Sequence, residues 1–312
     1  MKLSGLLLAG ALAMTSLTTT ASAGMLSGAF LGKSAGRADA FTNDFIGDGQ
    51  DRWSTFSSMN SSMYQGGLIG GKSEFRFRSE LITPWGDGRQ PRNADRIHAQ
   101  VMGFGLFNER EVGNLNLKFG GEAIITGDIT GLAATQSFVH NVFGFGNGYN
   151  RAEDNPRELD TGLHGQGHFE ASYDFNAGEY LLVRPFAGYK HGFETGATVG
   201  ADVVLGNLSR ANHWSRDPVS GFLIPAERAA ADTLKFGNVA IIAGYDITSM
   251  SSSELFPEDG VSMTDSYTRT RLGAQIDIGI GQWFIGGSQI GEQFNGQYEP
   301  QTVGVISFDF VF

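Results

Sequence analysis

Three groups of residues in this 312-residue chain have the types and spacing to do chemistry. The first is Gln136 and His140, inside the run 131–144, G-L-A-A-T-Q-S-F-V-H-N-V-F-G. Ala, Leu and Gln favour helix, and glycines bound the run. Four residues apart on a helix, Gln136 and His140 share a face, beside an apolar stripe of Leu132, Val139 and Phe143. A histidine so placed can serve as a general base, and the amide can orient water. The same spacing also fits a plug helix whose histidine only hydrogen-bonds. The second group is 42–55, T-N-D-F-I-G-D-G-Q-D-R-W-S-T. Asn43, Asp44, Asp48, Asp51 and Thr55 offer hard oxygens in a glycine-bent loop, which is what calcium requires. It is not an EF-hand, because no Glu falls at the twelfth position, and Asp-Gly pairs also make ordinary hairpin turns. The third is Asp95-Arg96, after a polar loop at 84–95.

These groups need a scaffold, and the chain spells one out in period-2 alternation. Twelve segments read as strands: 35–46, 53–63, 72–83, 96–107, 114–126, 164–175, 179–191, 195–208, 233–248, 264–280, 282–293 and 301–312. In the third, Glu74, Arg76, Arg78 and Glu80 share one face, and Phe75, Phe77 and Leu81 the other. In the sixth, His164, Gln166, His168, Glu170, Ser172 and Asp174 oppose Phe169, Ala171, Tyr173 and Phe175. In the tenth, Arg269, Arg271, Gln275 and Asp277 oppose Thr270, Leu272, Ala274, Ile276 and Ile278. Charges so regular cannot face hydrocarbon, where an Arg costs ~2–4 kcal/mol at the midplane. They belong in a polar lumen, with opposite signs paired in a closed interior. The expected fold is all-β, a transmembrane antiparallel β-barrel of about twelve strands, with a short helix in an external loop. Short turns are expected at 108–113, 176–179 and 279–282, and long external loops at 84–95, 127–163 and 249–263. Segment 209–232 is too long for the turn that strand parity assigns it. It holds either a small helix or a miscounted strand. His164 and His168 read as hydrogen-bonded wall residues rather than metal ligands.

The ends agree with a barrel. The last strand alternates Ile306, Phe308, Phe310 and Phe312 with polar residues, so its aromatic face is expected to meet lipid. At the other end, Lys2, the apolar run 6–14 and Ala21-Ser22-Ala23 form a signal peptide, residues 1–23, leaving 24–312 as one barrel domain. No later run of 18 apolar residues provides a membrane helix. Mean hydropathy is −0.14, which a barrel permits because lumen residues dilute lipid-facing ones. No cysteine is present, which excludes disulfides and thiol chemistry. The net charge of −11 argues against nucleic acid as a partner.

In order and spacing, Asn43-Asp44, Asp51-Arg52-x-x-Thr55, the run 75–80 (F-R-F-R-S-E), Asp95-Arg96 and Gln136-x-x-x-His140 resemble the outer-membrane lipid A 3′-O-deacylases. The resemblance carries motifs over 36–145 and is more diffuse beyond. It implies a twelve-stranded barrel in the outer membrane and calcium-dependent hydrolysis of the 3′-linked acyloxyacyl ester of lipid A. The implied partners are lipopolysaccharide and outer-membrane lipids, and the implied state is a monomer. His140 would activate water and Gln136 would orient it. Asp44 would be the main calcium ligand, with Asn43 and Thr55 nearby. Arg96 and Arg78 would face the lipid A phosphate or sugar. The chain departs from the family pattern at Phe56, where glycine is usual, and at 97–100, Ile-His-Ala-Gln, where Pro-Tyr-Ala-Gly is usual. Phe56 is expected to bear on the acyl groove. Two other classes fit the barrel: a non-catalytic pore or surface protein, and an outer-membrane phospholipase A. The latter needs a serine paired with histidine, and no such pairing stands near His140.

Overall fold

The strands that carry the alternation described above close a ring with the remaining long strands. The computed structural model describes residues 33–50, 52–66, 70–84, 96–143, 158–178, 180–206, 213–226, 238–258, 260–278 and 281–310. The strands are β1 (Lys33–Asn43), β2 (Trp53–Gln65), β3 (Lys72–Thr83), β4 (Ala99–Val112), β5 (Leu115–Thr126), β6 (Gly162–Tyr173), β7 (Phe175–Ala177), β8 (Leu181–Gly192), β9 (Glu194–Gly206), β10 (Trp214–Arg216), β11 (Leu223–Pro225), β12 (Val239–Ser253), β13 (Ser266–Asp277), β14 (Gly281–Ile290) and β15 (Gln301–Phe310). Among the described residues two α-helices interrupt them, α1 (Asp44–Gly47) and α2 (Leu132–Phe143), the latter preceded by a 3-10 turn at Asp128–Thr130. Twelve long strands pair antiparallel around the barrel, in the order β6-β5-β4-β3-β2-β1-β15-β14-β13-β12-β9-β8, and β8 returns to β6. The closing seam is short. Phe41, Thr42 and Asn43 of β1 pair with Ile306, Val305 and Gly304 of β15. Among the described residues no helix is long and apolar enough to cross a membrane.

Alternation sorts most of the faces as expected, although Ile306, expected at lipid, is buried. Phe104, Phe119, Phe169, Tyr189, Val199, Ile241, Tyr245, Leu272, Trp283 and Ile285 are exposed on the outer wall, where lipid would cover them. On β15, Phe308 packs against Trp283 with ring centroids 4.5 Å apart, while Val303 and Val305 are buried toward the lumen. Phe312 and the signal segment 1–23 lie outside the described residues. The lumen-facing charges are paired. Arg76 meets Glu74 at 2.8 Å, Arg184 meets Asp174 at 2.5 Å, and Arg271 bridges Asp202 and Asp246. His168 bonds Glu122 at 3.3 Å, as a wall residue should.

Strand parity puts both described termini and the tight turn at 113–114 at one end, the turn end. The connections 44–52, 84–98, 127–161, 254–265 and 291–300 lie at the other, the loop end. By the rule for outer-membrane barrels the loop end is external. Three expected boundaries shift. β1 stops at Asn43, where α1 begins, rather than at 46. β4 runs on to Val112, so the turn expected at 108–113 shrinks to 113–114. Within segment 209–232, the described residues form neither a helix nor a wall strand. Its described part, 213–226, is the β10–β11 hairpin, folded up inside the barrel.

Apolar packing and polar anchors explain why the hairpin stays there. Trp214, Phe222, Leu223, Ile224 and Ala226 form a core with Ala38, Ala40, Met59, Met63, Leu182, Val204, Ile242, Phe284 and Val305 from the inner wall. Phe222 and Phe284 meet edge to face at 4.9 Å. The hairpin rises from the level of Gln65, which bonds His213 at 2.9 Å, to that of Thr42, which bonds Asp217 at 3.4 Å. Arg216 spans to Glu170 and Asp202, each at 2.9 Å. Gly221 closes the tip at φ +77, and a Cβ there would sit 2.7 Å from the Arg271 guanidinium. Glycine meets both demands at once. Above the hairpin a charged cavity of about 190 Å³ remains. Nearer the loop end, Ile82, Ala99, Val101, Ile124, Phe193 and Leu255 form a second buried apolar cluster. The lumen is therefore filled by the hairpin and ion-paired.

Candidate active site on the outer wall

A bulge at the start of β2 builds the first part of the site. The pairing of β2 with β3 slips between Ser54 and Phe56, so one extra residue enters the strand. Such a slip turns neighbouring side chains to opposite faces. The Ser54 N–H donates to Oε1 of Gln301, on the lumen side, at 3.2 Å. The Thr55 hydroxyl instead bonds that of Thr83. Asn43 stands opposite Phe56 across the β1–β2 ladder. Its side-chain amide donates to the Thr55 carbonyl at 2.7 Å. A bulge leaves such a carbonyl unpaired in the ladder, and Asn43 satisfies it. Phe56 packs edge-on against Phe41 at 5.4 Å, lying along the wall beside Asn43. The family departure at position 56 thus lines the patch that holds Asn43 and Thr55.

Asp44 closes the loop above this patch. It is buried, and its Oδ1 accepts the Phe45 N–H at 2.8 Å while Oδ2 accepts the Arg52 N–H at 2.6 Å. Arg52 is pinned between Asp48 at 3.0 Å and Glu299 at 2.8 Å, and also bonds the Tyr298 hydroxyl. Burial opposes the Arg52 charge, but Asp48 and Glu299 outweigh it and hold its pKa above the ordinary value. Trp53, next in the chain, adopts φ +52. For a bulky residue that left-handed conformation costs ~1–3 kcal/mol. Packing against Phe294 and Tyr298, both at 5.8 Å, over-determines it. The 44–52 loop is thereby locked to the 291–300 loop.

The second part of the site is helix α2, which follows β5 in the long external connection. Gln136 is half-buried on it, and His140 lies one turn further on. The helix is moored to β4. Oε1 of Gln100 accepts the Ala133 N–H at 2.8 Å and the Thr130 hydroxyl at 3.1 Å. The expected helix is therefore present and includes positions 136 and 140, while the side chain of His140 lies outside the described structure.

Arg78 and Arg96 are not brought to this patch. Arg78 faces the lumen, 3.1 Å from Glu122 and 3.6 Å from Glu80. Arg96 lines the same cavity, bonds Gln293 at 3.2 Å and lies 4.6 Å over the Phe256 ring. Arg78 belongs to the alternating inner face that the sequence already shows, so its inward aim was readable. Arg96 precedes β4, where alternation gives no guide. Asp51 and Asp95 lie outside the described residues. Sequence reasoning missed Gln100, Thr83 and the His98–Glu158 pair at 3.1 Å. The only signal was the departure from family pattern at 97–100.

Whether calcium suits the loop turns on the donor set. Asp44 contributes a carboxylate with one lone pair left on each oxygen after its two N–H bonds. Asn43 and Thr55 add neutral oxygens close by in the chain. Among the described residues no group of three or more His, Cys, Asp or Glu side chains could hold a metal. Hard oxygens with a single carboxylate fit calcium of the weaker-binding kind, since affinity follows ligand charge and rigidity.

No family model matches the sequence, and no curated protein matches it. Among solved structures, LpxR from Salmonella typhimurium superposes with a TM-score of 0.69 at 16% identity, covering 89% of this chain and 100% of that one. The chain has the LpxR fold. The KdgM porin in complex with disordered oligogalacturonate gives a TM-score of 0.40 at 8% identity, over 88% of this chain and 99% of that one. The NanC porin gives 0.38 at 6% identity, over 89% and 100%.

Proposed function

We propose that the protein is a calcium-dependent hydrolase of the outer membrane that removes the 3′-linked acyloxyacyl chain from lipid A in the outer leaflet. The observation that carries this reading is the juxtaposition on one part of the outer wall. The Asn43–Thr55 patch sits at the loop end of β1–β2, and the helix bearing Gln136 and His140 is moored two strands away on β4. That is the height at which a lipopolysaccharide headgroup lies. The motif resemblance and the full-length likeness to LpxR, a lipid A 3′-O-deacylase, support the same reading.

In this reading His140 takes a proton from water as that water adds to the ester carbonyl. Gln136, one turn away, orients the water or the imidazole. Collapse of the tetrahedral adduct breaks the ester C–O bond, and the proton held by His140 passes to the departing sugar hydroxyl. Asp44, Asn43 and Thr55 would hold calcium, which when bound supplies a positive charge near the oxyanion. Arg78 and Arg96 line the lumen cavity, so this reading gives them no part in the outer-wall site. The pore alternative is opposed by the lumen itself, which the hairpin fills.

Mass spectrometry of lipid A from cells producing the protein or its His140→Ala variant tests the reading. The wild type should release the 3′ acyloxyacyl chain. The variant should insert normally and act ~10²–10⁴-fold more slowly, the usual worth of a general base. Intact lipid A in cells that carry correctly inserted wild type would overturn the function. Equal activity in both forms would overturn the mechanism.

A further inference from the structure

Gln100 is completely buried on β4, yet every hydrogen-bonding position of its side chain faces a partner in one loop. Its Oε1 accepts from the Ala133 N–H at 2.8 Å and the Thr130 hydroxyl at 3.1 Å. Its Nε2 donates to Asp128 Oδ1 and Glu158 Oε1, both at 3.0 Å. A primary amide has two lone pairs and two N–H groups; three of these positions are filled outright, and the fourth faces the Thr130 hydroxyl, whose one proton is shared with the Gly127 carbonyl at 2.8 Å. Its backbone carbonyl also accepts the Gly127 N–H at 3.0 Å. All these partners belong to the connection between β5 and β6, which contains α2.

Two features make this more than a buried side chain with bonds. First, Ala133 is the second residue of α2, and its N–H is one of the four that a helix start leaves without an internal partner. The first intrahelical bond runs from Thr135 to Gly131 at 3.0 Å. Gly131 has no side chain to cap with, so Gln100 caps the helix from another strand. Second, Gln100 grips both arms of the connection. The outgoing arm is held at 127–133, and the returning arm at Glu158. The returning arm is reinforced by the Leu159 N–H on the His98 carbonyl at 2.9 Å and by Glu158 on the His98 ring at 3.1 Å. One rigid wall residue thus sets where α2 begins and closes the base of its loop.

We infer that Gln100 is the positioning residue for helix α2, fixing where Gln136 and His140 stand over the outer wall. The inference rests on the proposed deacylase reading for its kinetic consequence, but not for the clamp itself. Gln136 and His140 lie three and seven residues beyond Ala133, about one and two turns along the helix. A tilt at the helix start is therefore carried to both. Displacement of about 1 Å in a reacting group can cost ~10²-fold in rate.

The test uses the full-length protein in detergent micelles, with Gln100→Ala, Gln100→Glu and wild type compared. Gln100→Glu keeps an acceptor for Ala133 and Thr130 but sets a carboxylate against Asp128 and Glu158. Pairing it with Glu158→Gln returns an amide donor to the cluster. Hydrogen exchange of the 132–143 amides reads the clamp directly. Activity on purified lipid A, separated into kcat and KM, reads its consequence. Gln100→Ala should keep the heat-resistant barrel, lose protection across the start of α2, and lower kcat ~10²-fold with KM changed less than about threefold. The Gln100→Glu/Glu158→Gln pair should recover more of both than Gln100→Glu alone. Unchanged exchange at the start of α2 in Gln100→Ala would overturn the clamp. Lost protection with full kcat would overturn the positioning role. If the wild type releases no acyl chain, the proposed reaction and the kinetic part fall together, while the exchange result still decides the clamp.

Discussion

Asp246 offers the sharpest quantitative test of how the barrel interior is built. It is fully buried on β12 and accepts from two guanidiniums, Arg269 at 3.0 Å and Arg271. Arg271 also bonds Asp202 at 2.9 Å, Asp202 also bonds Arg216 at 2.9 Å, and Arg216 also bonds Glu170 at 2.9 Å. Three cations and three anions make a neutral chain. Asp246→Ala leaves it with one uncompensated positive charge at a buried position. Breaking a buried pair from one side costs about 3–5 kcal/mol, mostly from the stranded partner. Arg269 keeps the carbonyls of Pro218 and Val219, at 2.9 and 3.2 Å, which places the expected loss toward the lower end of that range. Removing Arg271 as well, in Asp246→Ala/Arg271→Met, restores neutrality. The double variant should be more stable than Asp246→Ala, because no stranded charge remains. Equilibrium urea unfolding in lipid vesicles, read by tryptophan fluorescence and by the heat-dependent gel shift, measures all three forms. Additive losses, with the double variant the least stable, would refute the neutral-chain argument. A loss below about 0.5 kcal/mol for Asp246→Ala would show the lumen to be wetter than the structure implies.

Two further outcomes follow from the same geometry. Replacing 213–226 by a short Gly-Ser linker removes the hairpin core and its anchors, so the barrel should insert but conduct. Single-channel recording in planar bilayers should show steady openings absent from the wild type, and silent membranes would place the seal elsewhere. Asp44→Ala removes the acceptor for the Phe45 and Arg52 N–H groups and the carboxylate of the calcium loop. It should abolish calcium-stimulated deacylation and leave the heat-resistant barrel, with activity followed across a calcium titration. Wild-type activity undiminished in excess chelator would take calcium out of the proposal.

The sequence by itself determined the faces of the wall. Alternation is local, set by the two-residue repeat of an extended chain, so Glu74, Arg76, Arg78 and Glu80 could be turned inward without knowing their neighbours. The same rule placed Leu272 and Ile276 outward, and their exposure agrees. Helix α2 was legible for a similar reason, because propensity and bounding glycines act within a dozen residues. Tertiary structure decided what depends on closure. Segment 213–226 has no clean period, and only the shape of the lumen, with Ala38 and Ala40 leaving room opposite Phe222 and Ile224, draws it inside. The bulge between Ser54 and Phe56 is a matter of register between two strands, which neither strand encodes alone, yet it decides that Thr55 turns to Thr83. Gln100 is the extreme case. Its partners lie 28 to 58 residues away, so its role exists only once β4 and the far loop meet. A buried amide must find partners for all its polar atoms, and which partners those are is a property of the assembled wall rather than of its neighbours in the chain.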